Sequence, residues 1–276
     1  MRLFRVRWLF LSFRRVMKHI VSLSGGTSSA VAADRVIKRY GKDNVVLWFA
    51  DTKWEDEDLY RFLKDLESYW GMEIERYVNG LNPLEVAEKA KMIPNNRMVR
   101  CSFELKIEPF TRLIKKMDKP LTVHIGLDWS EQHRMAAPKR NYEEIEGVSV
   151  EFPLMWKPYE SLRYAKVVES WGIESPRLYK YGFPHNNCGG RCVRQGQAEW
   201  KRLKSVFPER FAQVRDWELL QQTKSETRKD KAILTRTVAG ERRPITLAVL
   251  DKEWEEDPQV DMFEYEGDDF SCFCTN

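Results

Sequence analysis

Two sets of residues in this chain have types and spacings that could do chemistry. The first is the run Ser24-Gly25-Gly26-Thr27-Ser28-Ser29. Two adjacent glycines would let a bound group approach the backbone closely, and the hydroxyls around them are ready donors. The second is the set of five cysteines, Cys101, Cys188, Cys192, Cys272 and Cys274. Cys188 and Cys192 stand four apart with two glycines between them, a spacing that lets a turn close around a bound atom. Four soft thiolates suit zinc or an iron–sulfur cluster. The candidate ligands are Cys101, Cys188, Cys192 and one of Cys272 or Cys274, with Cys274 taken as the fourth and His185 as a replacement. A rival use is nucleophilic: a thiol near a chain end, Cys272 or Cys274, could attack a sulfur atom. A third reading leaves all five as unrelated thiols.

What the Ser-Gly run can do depends on the elements that flank it. "HIVSLS" is a short β-rich run, and "TSSAVAADRVIKRYG" spaces its apolar residues as a helix on a sheet would. A turn from parallel strand to helix lies at the carboxyl edge of the sheet, beside the positive end of the helix dipole, where phosphates bind. The run is not a Walker A loop, since no Gly-Lys-Ser/Thr follows, and it lacks the G-x-G-x-x-G dinucleotide spacing.

The alternation continues beyond it. "NVVLWFAD" reads as a strand covered on both faces, "EDEDLYRFLKDLESYW" as a helix, "EIERYV" as a third strand, and "ELKIEPFTRLIKKM" as a helix that must accommodate Pro109. "LTVHIGL" and "VSVEFPL" supply a fourth and a fifth strand. This order predicts an α/β fold, a doubly wound and mostly parallel five-stranded sheet. Beyond residue 157 the pattern turns helical, with "ESLRYAKVVESWG" and "QGQAEWKRLKSVF" the clearest helices, and "AILTRTVAGERRPITLAVL" reads as two strands around Ala239-Gly240-Glu241. The expected organisation is an extension over 1–16, a nucleotide-binding domain over 17–157, and a helical, cysteine-bearing subdomain over 158–276.

"SGGTSS" resembles the S-G-G-x-D-S pyrophosphate loop of the PP-loop superfamily, with Ser28 where ATP-using members usually have Asp. "FADTKWEDEDLYRFLKDL" resembles the strand-end segment of its phosphoadenylylsulfate (PAPS) reductase branch, and "CSFELKIEPF" resembles that branch's Cys-x-x-x-Leu-Lys-x-x-Pro segment. "GLDWSEQHR" is loosely similar to its Gly-Ile-Arg...Glu-Ser-x-x-Arg segment, but lacks the first Arg and is one residue short. The resemblance assigns Ser24 to Ser29, Asp51, Thr52 and Gly126 to nucleotide binding. It makes Lys106, Arg134 and Arg100 cations beside the phosphates, with Lys106 and Arg134 joining Cys272 and Cys274 as catalytic candidates.

It implies an enzyme that binds ATP or another adenine nucleotide, with Mg²⁺ as companion ion, and that adenylates an acceptor for sulfur transfer from a sulfur donor. One alternative is a PAPS reductase using a tail thiol and a reductant, although "SCFCTN" is not the Glu-Cys-Gly-x-His tail of that enzyme. Another is a nucleotide-binding subunit without catalysis.

Composition narrows the partners. The 276 residues are 42% hydrophobic and 32% charged, and 46 Lys and Arg against 42 Asp and Glu leave a formal charge of +4. That balance tolerates an anionic ligand without demanding nucleic acid. Arg236, Arg242 and Arg243 read first as a solvated face, with a nucleic-acid acceptor the less favoured use. The N-terminal run "MRLFRVRWLFLSFRRVMKHI" is broken by arginines and too short in apolar residues for a membrane helix. Thiols crowded into three short places fit a reducing compartment, so a cytoplasmic protein is expected. His124, inside an apolar strand, reads as a core residue.

Overall fold

The computed structural model describes residues 17–95, 98–157 and 163–256. The expected extension over 1–16, the start of the expected subdomain at 158–162, and the tail with Cys272 and Cys274 lie outside the described residues.

Apolar strands and amphipathic helices alternate through the first half. The order is β1 (Lys18–Leu23), α1 (Thr27–Tyr40), β2 (Val45–Asp51), α2 (Glu57–Trp70), β3 (Ile74–Val78), α3 (Pro83–Lys89), α4 (Glu108–Lys116), β4 (Leu121–Ile125), α5 (Ala136–Tyr142) and β5 (Val148–Glu151). All five strands run parallel in the order β3-β2-β1-β4-β5. Period-two alternation sends Val21, Leu23, Leu47 and Phe49 to one face, where α1 and α2 cover them. Ile20, Trp48 and Ala50 go to the other face, against Phe110 and Ile114 of α4 and Tyr142 of α5. Pro109 is accommodated because it falls in the first turn of α4, where its missing N–H costs nothing. A single π-helical turn, Phe103–Ile107, leads into it.

The second half is helical. It holds α6 (Tyr164–Ser170), α7 (Arg177–Lys180), α8 (Gln197–Val206), α9 (Pro208–Thr223), the antiparallel pair β6 (Leu234–Val238) and β7 (Glu241–Ile245), and α10 (Leu247–Glu256). Val168 of α6 joins the core over α1. The later helices close a separate core around Trp200, Leu203, Phe211, Val214 and Leu250, which reaches back to Trp54 and Leu84. The segment expected as two strands departs from that reading at its end. The second strand stops at Ile245, and Leu247, Leu250 and Trp254 turn a helical stripe into this core. Glu218 of α9 is wholly buried there, accepting the amides of Ile233 and Leu247 at 2.7 Å each and thereby fixing the open end of the β6–β7 ribbon, where the chain enters and leaves it. Among the described residues, no helix is long and apolar enough to cross a membrane.

Candidate nucleotide site

The strand order reverses between β1 and β4, which opens a crevice at their carboxyl ends. The Ser-Gly run fills one side of it. Gly25 has a φ of +80°, and a Cβ there would lie 2.5 Å from Leu59 Cδ1, so both backbone and space require glycine. Ser29 Oγ donates to the Gly26 carbonyl at 2.8 Å and accepts from the Ser24 amide at 3.2 Å. These two serines therefore shape the loop. Helix α1 begins at Thr27 with no side-chain cap and no acidic residue in its first turn. Its positive end is left for an anion from elsewhere. Gly126, just after β4, closes the other side: a Cβ there would stand 3.0 Å from Ser29 Cα. It acts on the loop through close packing.

Asp51 and Thr52 end β2, as expected, but their side chains are engaged locally. Asp51 Oδ1 accepts the Lys53 amide at 2.8 Å and the Tyr60 hydroxyl at 2.9 Å. Thr52 Oγ1 donates to Glu55 Oε1 at 2.9 Å. Glu55, absent from the sequence-derived candidates, is the joint of this region. Its carboxylate is fully buried, lies 3.8 Å from Lys106 Nζ, and accepts the Cys188 amide at 2.6 Å. Thr52, Lys106 and Cys188 thus meet on one carboxylate.

Its neighbour Asp56 is also fully buried and caps α2 through the Asp58 amide at 2.9 Å. It receives Arg177 Nη2 at 3.0 Å and Arg210 Nη1 at 2.7 Å. Burial works to raise its pKa, but the two arginines outweigh that and hold it below the usual carboxylate range.

The second half also reaches the phosphate loop itself. Asn186 Nδ2 donates to the Gly25 carbonyl at 2.9 Å. The Tyr179 hydroxyl lies 2.8 Å from where a Gly26 Cβ would stand. Arg191 stacks on the Trp54 ring with its guanidinium carbon 3.8 Å from the centroid, and donates to the Trp54 carbonyl at 2.9 Å.

The cysteines take different places. Cys188, Gly189 and Gly190 are three successive residues with positive φ, at 55°, 58° and 80°. A Cβ on Gly189 would lie 3.2 Å from the Trp54 carbonyl oxygen, and one on Gly190 3.1 Å from Leu203 and Phe183. The glycines pack this turn between the Trp54 segment and the helical core. Cys188 is buried in that core, Cys192 lies at its edge, and Cys101 is half-buried before the π-helical turn. His185 is exposed. Among the described residues, no group of three or more His, Cys, Asp or Glu side chains is placed to hold a metal ion.

Of the expected cations, Arg134 is buried and paired with Glu131, whereas Arg100 is exposed and paired with Glu104 at 3.0 Å. His124 is a core residue: its Nε2 is 3.0 Å from His19 Nδ1, and burial pushes its pKa down to about 3.

Residues 18–166 match the phosphoadenosine phosphosulfate reductase domain family. No curated protein matches the sequence. Among solved structures, a phosphoadenylyl-sulfate reductase from Candida auris in its phosphate complex is 17% identical, with a TM-score of 0.43 over 62% of this chain and 80% of that one. The U34-tRNA thiolase NcsA from Methanococcus maripaludis, with its [4Fe-4S] cluster, is 16% identical, with a TM-score of 0.42 over 76% of this chain and 74% of that one. The match over more than half the chain, on a parallel sheet with a Ser-Gly loop at its switch point, makes this protein a member of the phosphoadenosine phosphosulfate reductase domain family, within the PP-loop superfamily.

Proposed function

We propose that the protein is an enzyme that binds an adenine nucleotide by its phosphates at the β1–α1 loop and uses it in sulfur transfer. The observation that carries this reading is the uncapped start of α1 at the switch point of the sheet, with Gly25 and Gly126 keeping side chains out of its way. With ATP, an oxygen of the acceptor would attack the α-phosphorus and pyrophosphate would leave, stabilised by loop amides. Sulfur from a thiol or a cluster would then displace AMP from the adenylated acceptor. Lys106 and Arg134 remain the proposed cations of the site. An iron–sulfur cluster or zinc would draw its ligands from Cys101, Cys188, Cys192 and Cys274.

A second reading, sulfonate transfer from PAPS to a tail thiol, is favoured by Ser28, which offers no carboxylate for magnesium where ATP-using relatives carry Asp. Titration with ATP and with PAPS separates the two. The nucleotide that binds tightly should lose its affinity in Gly26→Val, whose side chain would stand at the start of α1, while the fold holds, because φ at Gly26 is an ordinary −95° and only the Tyr179 hydroxyl lies closer than 3.0 Å to the new Cβ. Unchanged affinity for both nucleotides in that variant would remove the phosphate assignment. Anaerobic purification with iron, zinc and sulfide analysis tests the cysteine set, and metal-free wild-type protein would leave thiols alone to do the chemistry.

A further inference from the structure

Asn186 comes from the second half of the chain, 161 residues from the loop it meets. Its side chain is only 2% exposed, and Nδ2 donates to the Gly25 carbonyl at 2.9 Å. A carbonyl oxygen can only accept, so this contact fixes which way round the side-chain amide lies. The nitrogen is committed to the Ser-Gly loop. The oxygen is not: among the described residues, nothing donates to Asn186 Oδ1. Native folds seldom leave a buried acceptor dry unless it has another use. The residue is also held in place from just beyond. The Cys188 amide donates to Glu55 Oε2 at 2.6 Å, and the Gly189 carbonyl accepts Arg210 Nη1 at 3.0 Å.

We infer that Asn186 is a binding residue for the nucleoside part of the ligand: its Oδ1 accepts a hydrogen bond from a ribose hydroxyl or from the adenine amino group while the loop amides hold the phosphates. The inference rests on the nucleotide-binding reading above. Phosphate oxygens are acceptors, matched by the free amides at the start of α1. A second acceptor beside them gains nothing from a phosphate. What else an adenine nucleotide offers is its N–H and O–H groups, and these are what Oδ1 needs. Gly25 itself is buried, so the opening that admits a phosphate to the loop also reaches the amide resting on it. Asn186 thereby distinguishes a nucleoside phosphate from bare pyrophosphate.

The test pairs a deletion on the protein with deletions on the ligand. Calorimetry on wild type and Asn186→Ala gives the affinities for pyrophosphate, ATP and PAPS. It is repeated with forms of the nucleotide that binds lacking the 2′-hydroxyl or the 6-amino group and, for ATP, the 3′-hydroxyl. In the wild type one of these deletions should weaken binding about tenfold, the worth of one hydrogen bond to a dry acceptor. In Asn186→Ala the same deletion should cost less than about twofold. The silenced deletion then names the donor as ribose or base. Asn186→Ala also removes the contact to Gly25, but that loss falls equally on every ligand, is read directly with pyrophosphate, and cancels in the comparison.

A wild type indifferent to all the deletions overturns the inference. So do deletions that cost the same in both proteins, the result expected of an oxygen that meets a buried water or a cation. Should Asn186→Ala fail to fold, Asn186→Ser carries the same comparison. A wild type that binds none of pyrophosphate, ATP and PAPS defeats the nucleotide reading and this inference with it. Tight binding with no silenced deletion removes the role of Asn186 alone.

Discussion

Asp56 offers the sharpest test of how the helical half is held to the phosphate loop. Replacing it with Asn keeps the cap on α2, since Asn and Asp cap equally well, and removes the charge that receives Arg177 and Arg210. Asp56 is fully buried, and Arg210 exposes only 14% of its side chain, so water replaces little of what is lost. Both arginines retain Glu57 Oε2, at 2.6 and 2.7 Å, but that carboxylate is 77% exposed and worth less. Two hydrogen bonds to a charged group at about 1.5–3 kcal/mol each, partly recovered through Glu57, give a cost of about 3 kcal/mol. Thermal melts should show this as a fall of about 6–12 °C. The folded pKa of Asp56 lies below its ordinary value, so its contribution is fully present above pH 4 and is lost only as pH falls through the folded pKa. The gap between wild type and Asp56→Asn should therefore be constant from pH 5 to pH 8. A gap below about 1 kcal/mol, or one that narrows between pH 8 and pH 5, would refute the assignment of this carboxylate as the anchor of the two arginines.

Glu218 should behave in the opposite sense: burial raises its pKa to about 7, so the stability tied to its neutral form is complete below pH 4.5 and is lost as pH rises through 7. Urea denaturation should show wild type losing up to about 3 kcal/mol between pH 5 and pH 8 relative to Glu218→Gln, and parallel profiles would count against it. At Gly126, Ala would press on Ser29 Cα from 3.0 Å and should cost about 1–3 kcal/mol. Its melting temperature should fall by several degrees with ATP affinity weakened, and an unchanged melt would mean that α1 yields freely at Ser29.

Much of the first half was legible because its signals are local. "NVVLWFAD" is an apolar run of strand length, α1 has helical spacing directly after Gly26, and the Gly-Gly pair marks a backbone that no other residue could follow at Gly25. The second half was harder to read. Helix α9 buries Phe211, Val214, Glu218 and Gln221, two of them polar, so its inward face carries no simple apolar stripe. What joins the halves left no local trace at all. Arg210 meets Asp56 across 154 residues and Asn186 meets Gly25 across 161. Pattern along the chain reports which face of an element is apolar, not which distant carboxylate an arginine will reach. The Cys188–Cys192 turn carries a further constraint that its spacing did not announce: its two glycines also let it pack against Trp54 and Leu203.

These long-range contacts bear on the chemistry as well as the fold. The segment from Glu55 to Asp58 puts four carboxylates in a row just ahead of Leu59, the residue that touches Gly25. Left alone, that cluster would repel a phosphate approaching the loop, because like charges repel strongly in a buried setting. Cations from both halves supply the compensation. Arg177 and Arg210 neutralise Asp56 and Glu57, Arg61 with the Arg177 amide occupies Asp58, and Lys106 stands beside Glu55. On the proposed reading, a phosphate would then meet the amides of α1 and the hydroxyls of the loop beside carboxylates that already have cationic partners. The same short helix that brings Arg177 to these carboxylates brings the Tyr179 hydroxyl against Gly26, so one element of the second half touches both the acidic segment and the Ser-Gly loop.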